Sequence, residues 1–337
     1  MSVSFSVIIP LYNKEAEIGR ALRSVLAQTI APLEIVVVDD GSTDGSAEVV
    51  ERIAAGVASG GASVALGGAS LIKLVRQSNA GETAARNRGI AEARGTHFAL
   101  LDADDEWRPE FLATMAALIR DFPAAGLYCT GFDIARESGI ARESGTARKK
   151  TLTPGRTPSA RGLVEDFFGE AMRGFVATAS SAVLPRETVE LVGGFPAGMR
   201  LGGDQYMWTA IALRRPVAFT PERQAIVHAS ASNRSAAIYT PETTAFSFLD
   251  FAAPQLLAAH PALGEYIARV SLGKAITASV RGGTDEGRRA ERDFRYSRLS
   301  RRLWWRLWLL NRLPIGWRGT LNGAYARMAW VFFKKGF

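Results

Sequence analysis

Two acidic clusters stand out in this chain of 337 residues: Asp39 and Asp40, which end the run LEIVVVDD, and Asp102-Ala103-Asp104-Asp105, which end HFALLDADD. Each follows a continuous apolar run of the kind that forms a parallel strand buried on both faces, so both clusters would emerge at one edge of a sheet. Carboxylates crowded together repel, and a cation that shares them relieves the cost. Magnesium or manganese bridging two phosphates is the natural cation, because hard ions take carboxylate and phosphate oxygens and keep several waters. The competing reading makes these aspartates strand-end caps and turn formers within DDGSTDGS and DADDEWRP. Their recurrence at strand ends favours the ligand reading.

The elements that must position them are legible up to about residue 131. Apolar runs at 6–10, 33–40, 71–75 and 97–104 alternate with segments of helical periodicity, AEIGRALRSVLAQ, TDGSAEVVERIAA and AGETAARNRGIAEA. Ser42 or Thr43 is the expected N-cap of the second helix. The alternation predicts an α/β fold with a doubly wound, mostly parallel sheet flanked by helices, whose ligands bind outside the carboxyl ends of the strands. Residues 56–70 read as a flexible glycine-rich loop, and the ARESG repeat at 135–150 reads as a charged, solvated excursion. From about 160 the pattern mixes a helix near 160–172, a strand at 180–185, a turn at GGFP and a helix beginning near Asp204. Beyond about 240 it is mostly helical.

Length and composition set the frame. The chain exceeds the size at which a single core stops growing, so two unequal parts are expected: 1–235, with halves at about 1–131 and 160–235, and a helical region at 236–337. The lone Cys129 cannot form an internal disulfide and reads as a buried structural thiol. No signal peptide and no membrane-spanning run is visible, so a cytoplasmic or peripheral location is expected. The formal charge of +8 favours anionic partners. Much of the excess falls late and without an RNA-binding motif, which argues against nucleic acid and for a membrane surface. There Arg301, Arg302, Arg306 and Arg312 alternate with Trp304, Trp305, Trp308 and Leu309, and MAWVFF at 328–333 precedes Lys334 and Lys335. This composition predicts docking on an anionic membrane, with packing of the tryptophans against protein as the alternative.

Four segments in order, SVIIPLYNKEAEIGRALRSVLAQT, EIVVVDDGSTDGS, NAGETAARNRGIAEARG and LLDADDEWRPEFL, resemble glycosyltransferase family 2. These are inverting nucleotide-sugar transferases with the A-type fold and an aspartate-any-aspartate motif. The resemblance is dense over about the first 130 residues and thinner to about 230. It implies a divalent metal, Mn2+ or Mg2+, a nucleotide-sugar donor that is UDP-linked, and a saccharide or lipid-linked saccharide acceptor. Pro10 and Tyr12 would shape the first loop beside the nucleotide. Asp40, with Asp39 as the alternative, would accept from the ring nitrogen of a uracil-like base. Asp102 would lie near the donor ribose, with Ala103 beside it, and Asp104 would be the principal metal ligand with Asp105 as helper. Arg86 and Asn87 fall where the family lines the donor pocket, and an arginine there can offset diphosphate charge. The bland reading of Arg86 and Arg88 is a solvated helix face.

An inverting displacement needs a carboxylate on the acceptor side to take the hydroxyl proton. LGGDQYMWTAIALR resembles the family's Glu-Asp segment, with Gly203 where the glutamate is usual, so Asp204 is the candidate base and Trp208 keeps its place. As an alternative, Asp204 would only cap its helix. His228, after the strand RQAIVH, is a candidate metal or diphosphate ligand, and Arg234 a candidate for the pyrophosphate. The implied role is bacterial-type cell-surface polysaccharide or glycolipid assembly. A polyprenyl-phosphate sugar transferase of the same fold is the nearest alternative. A nucleotidyltransferase would carry a glycine-rich basic first loop where LYNKEAEI stands, and an inactive binding or scaffold protein would have lost its carboxylates.

Overall fold

The computed structural model describes residues 3–59, 71–138, 149–174, 176–199, 202–229 and 247–323. The chain divides into two compact units, Met1–Ala237 and Ile238–Phe337.

The first unit opens with β1 (Phe5–Leu11), α1 (Ile18–Leu26), β2 (Glu34–Asp39), α2 (Ser46–Ser59), β3 (Ile72–Arg76), α3 (Glu82–Glu92) and β4 (His97–Leu100). It continues with β5 (Glu106–Trp107), α4 (Phe111–Asp121), β6 (Leu127–Ser138), β7 (Lys149–Pro154), β8 (Gly162–Leu163), α5 (Phe167–Arg173), β9 (Ala182–Pro185), α6 (Arg186–Val192), α7 (Gly203–Ala212) and β10 (Val217–His228). The sheet order is β3-β2-β1-β4-β9-β6-β10-β5, with β7 on β6 and β8 on β10. Strands β1 to β4 are parallel, as their apolar runs predict, and β10 runs parallel to β6. Between these groups β9 inserts antiparallel to both β4 and β6, so the sheet is mixed across its middle.

Every residue of β2 is buried, whereas α1 buries Ile18, Ala21, Leu22 and Val25, the i, i+3, i+4, i+7 stripe of a helix lying on a sheet. Helix α3 comes close enough to β1 that a Cβ on Gly89 would stand 2.6 Å from Ile8 Cγ2. Only glycine permits that approach. The register sets Leu11 beside Asp39 and Asp39 beside Arg76, while β4 pairs with β1 on its other side. The polar ends of these parallel strands therefore share one edge.

Three local expectations are corrected. Helix α2 begins at Ser46 and not after Ser42 or Thr43, and Asp44 Oδ1 accepts from the Ser46 N–H at 3.1 Å. Ser42 is diverted because its hydroxyl accepts from Asn13 N–H at 3.0 Å, tying the first loop to the second. The ARESG repeat falls partly in the paired strands β6 and β7, so its ends are sheet and not a solvated excursion; residues 139–148 lie outside the described set. The start of the 56–70 stretch likewise continues α2 to Ser59, and 60–70 are not described. Cys129 is fully buried in β6, and that burial pushes its thiol pKa up, the behaviour of an unreactive core cysteine.

The second unit holds a short 3-10 turn at Ser247–Phe251, then α8 (Pro254–Ala259), α9 (Leu263–Val280), α10 (Thr284–Asp293) and α11 (Arg301–Arg312), followed by helical residues 315–323. A polar knot ties it together: Ser279 Oγ donates to Asn311 Oδ1, Asn311 Nδ2 donates to Glu291, and the buried Arg318 donates to the Ser279 carbonyl. None of the described helices is long and apolar enough to cross a membrane.

Candidate active site at the carboxyl edge of the sheet

The loops after β1 and β2 lock together. Asn13, in the left-handed region at φ 50°, accepts from Thr43 N–H at 2.7 Å. Lys14 N–H donates to Ser46 Oγ at 2.8 Å. Pro10 is half-buried at the end of β1, and Tyr12, beside this junction, is 37% exposed. Asp39 Oδ1 accepts from Ser42 N–H, which shapes the DDGS turn. Asp40 is buried and its carboxylate accepts from Gln77 Nε2, Ala80 N–H and Gly81 N–H at 2.7, 2.8 and 2.8 Å. A carboxylate offers about four lone-pair directions. Asp40 thus anchors the entrance to α3 and keeps about one acceptor position for anything else.

Across the edge, Asp102 and Asp104 follow β4. Asp102 Oδ1 accepts from Arg86 Nη2 at 2.7 Å, and the same guanidinium pairs with Glu82. Burial opposes the charge on Arg86, but Glu82, Asp102 and Asp204 outweigh it and push its pKa up. Arg86 is therefore a buried counter-charge at the heart of an acidic group and not a solvated face. Arg88, by contrast, is exposed and pairs with Glu92. Burial raises the Asp102 carboxyl, Arg86 pulls it back, and Glu82 and Asp104 raise it again, to about 6, although 31% of its side chain is exposed. Asp104 Oδ2 accepts from Lys14 Nζ at 2.9 Å, both side chains being largely buried. An ammonium is a unit positive charge, so the structure already places a cation against Asp104. Asp105 turns inward: it accepts from Ser180 Oγ at 2.6 Å and His228 N–H at 2.9 Å, and burial, with Asp102 and Asp104, holds its carboxyl well above the ordinary range.

These residues fit a divalent ion. Asp102 and Asp104 repel one another at an edge where Asp104 already takes a cationic partner. Among the described residues no group of three or more His, Cys, Asp or Glu side chains forms a closed ligand set. A hard divalent ion that completes its shell with phosphates and water needs only one or two carboxylates. His228 is buried and its Nε2 lies 3.0 Å from Glu106 Oε1, so its hydrogen bonds run to Glu106 and Asp105 and brace the end of β10.

Helix α7 brings Asp204 to this group. Burial raises the Asp204 carboxyl, Arg86 and the Gln205 N–H lower it, and Asp102 raises it again, leaving it above the ordinary aspartate range. Asn87 clamps the preceding turn: its Nδ2 donates to the Phe195 carbonyl at 2.9 Å and its Oδ1 accepts from Phe195 N–H at 2.8 Å. Both ends of the Asn87 amide are thus committed to the protein. The Phe195 ring lies 5.4 Å from the Arg86 guanidinium and packs edge-on to Trp208. Arg86 Nε and Trp208 Nε1 are buried with no hydrogen-bond partner, which marks donors that a ligand or water can satisfy.

Gly203 has a steric reason. A Cβ there would lie 2.3 Å from Thr83 Cγ2, and Thr83 is fixed by burial and by its hydroxyl's bond to the Met199 carbonyl. Gly203→Ala is expected to destabilise the protein by about 1–3 kcal/mol, the range for overpacking. Thr83→Ser, which keeps the hydroxyl and removes the methyl, should recover most of that loss in the double variant, read as non-additive shifts in urea midpoint. Additive shifts would place the strain elsewhere.

Lys14, Glu82, Thr83, Ser180 and Phe195 belong to this edge, and the sequence reading had not singled them out. Lys14 and Glu82 lie inside the YNKE and GET segments and were visible there as charged neighbours of the motifs. Nothing local marks Ser180 or Phe195. Arg234 lies outside the described residues.

Known proteins agree with this architecture. The model for "Glycosyl transferase family 2" matches residues 6–176. The uncharacterized glycosyltransferase YibD of Escherichia coli K12 is 35% identical over 134 residues, which are 40% of this chain and 36% of that protein. The cholesterol galactosyltransferase of Borreliella burgdorferi is 34% identical over 100 residues, 30% of this chain and 25% of that protein. The matching stretch thus spans about a third or less of those relatives. Among solved structures, Staphylococcus aureus TarS 1–349 superposes with a TM-score of 0.57 at 18% identity, covering 83% of this chain and 74% of that one. The mannosyltransferase PcManGT of Pyrobaculum calidifontis, with GDP-Man and Mn2+, gives 0.52 at 20% identity over 84% of this chain and 76% of that one. The fold is the A-type glycosyltransferase fold, a sheet flanked by helices with further helices at the carboxyl end. With the family pattern matching half the chain and the strand-end aspartates gathered on the edge that pattern defines, the protein belongs to glycosyltransferase family 2.

Proposed function

We propose that this chain transfers a hexose from a nucleotide sugar, UDP-linked, to an acceptor hydroxyl with inversion at the anomeric carbon, in a reaction that needs Mn2+ or Mg2+. The observation that carries the proposal is the electrostatic grouping of Glu82, Asp102 and Asp204 around the buried Arg86, with Asp104 acting on Asp102, so that strand-end and acceptor-side carboxylates meet at one edge. Asp204, its carboxyl raised above the ordinary aspartate range by burial, takes the acceptor proton in its ionised form. The acceptor oxygen then bonds to the anomeric carbon as the bond to the diphosphate oxygen breaks on the opposite face, and the electron pair leaves with the nucleoside diphosphate. A divalent ion held by Asp104, with Asp102 alongside, would neutralise charge on the departing diphosphate. Pro10, Tyr12, Asp39 and the remaining acceptor position of Asp40 are assigned to the nucleotide, and Ala103 to the donor ribose edge. Arg86 and Asn87 are assigned to positioning Asp102 and the turn before α7. The donor assignment draws support from TarS, whose structure holds UDP-GlcNAc, and the metal from PcManGT with Mn2+. The acceptor is a saccharide or lipid-linked saccharide of cell-surface polysaccharide or glycolipid assembly.

Donor hydrolysis measured across UDP-, GDP- and TDP-sugars, with and without Mn2+, tests the reading. UDP-sugars should be cleaved in a metal-dependent way, chelation by EDTA should abolish turnover, and proton NMR of a transfer product should show the inverted anomer. Full turnover in excess chelator would overturn the metal assignment, and a retained anomer would overturn Asp204 as base.

A further inference from the structure

The net charge of this protein is not spread over its surface. From Phe294 to the end the chain holds ten Lys and Arg and no Asp or Glu, so the residues before it carry a net −2 of the overall +8. The fold of the second unit decides which part of this stretch faces outward. Helix α11 buries Leu307, Leu310 and Asn311. Trp304 also turns inward, its Nε1 donating to the Glu291 carbonyl at 2.7 Å, and Trp308 is half-buried beneath Arg312, which pairs with Glu291. Two of the four tryptophans among the described residues of the tail are therefore engaged in internal packing.

The rest is left outside. Trp305 is 49%, Leu309 50%, Ile315 57% and Trp317 67% exposed. Arg301, Trp305 and Leu309 follow one another at i, i+4, i+8 and so line one face of α11. Arg306 Nε donates to Asn322 Oδ1 at 2.9 Å, which holds residues 315–323 against α11. Exposed Arg295, Arg298, Arg301 and Arg302 lie on the approach to this face and at its start. Indoles and leucines this open, with arginines along their border, have the composition of an interfacial membrane surface, where rings settle at the headgroup boundary and guanidinium groups reach lipid phosphates. A second copy is the poorer occupant. A two-fold contact places the same patch on both partners, and because the carboxylates beside this stretch, Glu265 and Glu291, are already bonded within the unit, arginine would face arginine across it.

We propose that the face formed by α11 and residues 315–323 docks on an anionic lipid bilayer, with Trp305, Leu309 and Trp317 entering the interface and the surrounding arginines on lipid phosphates. The proposal stands apart from the transferase reading, since it rests on the second unit alone.

The test is flotation of the full chain with vesicles of phosphatidylcholine containing a third phosphatidylglycerol, against phosphatidylcholine alone. The chain should float with the anionic vesicles only, and release as salt rises from 0.1 to 1 M. The variant Trp305→Ser/Leu309→Ser/Trp317→Ser changes side chains that are about half or more exposed, Trp305 giving up ring contacts to Trp304 and Trp308, so it should stay folded, with a melting temperature within a few degrees of the parent, while its vesicle partition weakens roughly tenfold or more. The proposal is overturned by no flotation of the parent, by undiminished flotation of the variant, which moves docking to another surface, or by a dimer in sedimentation velocity that the variant abolishes while vesicles are ignored. A parent that binds heparin or RNA but not the vesicles would also overturn it, by making the face a polyanion site. Nucleotide-sugar hydrolysis in solution should be the same for parent and variant, so failure here and failure of the transferase reading are read separately.

Discussion

Asp104→Asn is expected to lower metal-dependent transfer roughly a thousandfold, because a divalent ion contributes several kcal/mol to stabilising charge on a departing phosphate. The fold should survive. Asn keeps an oxygen for Lys14 Nζ, and the loss of that ion pair is offset because Asp104 raises the carboxyls of both Asp102 and Asp105. The net change in stability should stay within about 1 kcal/mol. Mn2+ binding, followed by electron paramagnetic resonance in the presence of UDP, should weaken in parallel with activity, while thermal unfolding stays close to the parent. Retained Mn2+ affinity with lost activity would move the ion away from Asp104. A melting temperature lowered by ten degrees or more would instead make the Lys14 contact a structural requirement.

Asp204→Asn should separate chemistry from binding. Positioned general bases contribute roughly 10²–10⁴-fold, so kcat should fall by that order while UDP affinity measured by calorimetry stays within about threefold. A carboxylate that only finished the helix would behave differently: its loss would cost about 0.5–1 kcal/mol of stability and leave transfer in place. The pH dependence follows from the direction of the Asp204 shift. Burial favours its neutral form, and the base works only when ionised, so the acid limb of kcat/KM should lie above the ordinary aspartate value of 3.8 and rise with pH. Stability follows the same sign. A carboxyl whose pKa is raised on folding stabilises the fold below its unfolded pKa and loses that contribution as pH rises through the folded value. Asp204→Asn, which cannot ionise, should therefore melt no lower than the parent at pH 7 to 8, and any advantage should shrink towards pH 4. A parent acid limb at or below 3.8, or a variant with normal kcat, would remove Asp204 from the proton transfer.

The sequence alone determined the first four strands, the edge and the family resemblance, and the physical reason is locality. Runs such as EIVVVD can only be buried strands, and the polar residues that end them must lie at the sheet's carboxyl edge, so Asp39, Asp40, Asp102 and Asp104 were legible from their neighbours. The charge and aromatic content of the tail were legible in the same way. Tertiary structure decided which of those groups are committed. Asp104 and Asp105 are adjacent in sequence, yet one meets Lys14 and the other braces Ser180 and β10, because successive residues at a strand end point apart and each takes the partner that packing supplies. Asn87 could line a pocket or clamp a turn, and Phe195, 108 residues away, made it a clamp. Gly203 stands where the family's glutamate is usual, and Thr83 fills the space a Cβ there would need. Trp304 and Trp305 are neighbours of one type, and only the helix's orientation sends the first to Glu291 and the second outward. Such pairings join residues tens to hundreds of positions apart, and no local period encodes them; they exist only once the chain has chosen which faces to bury.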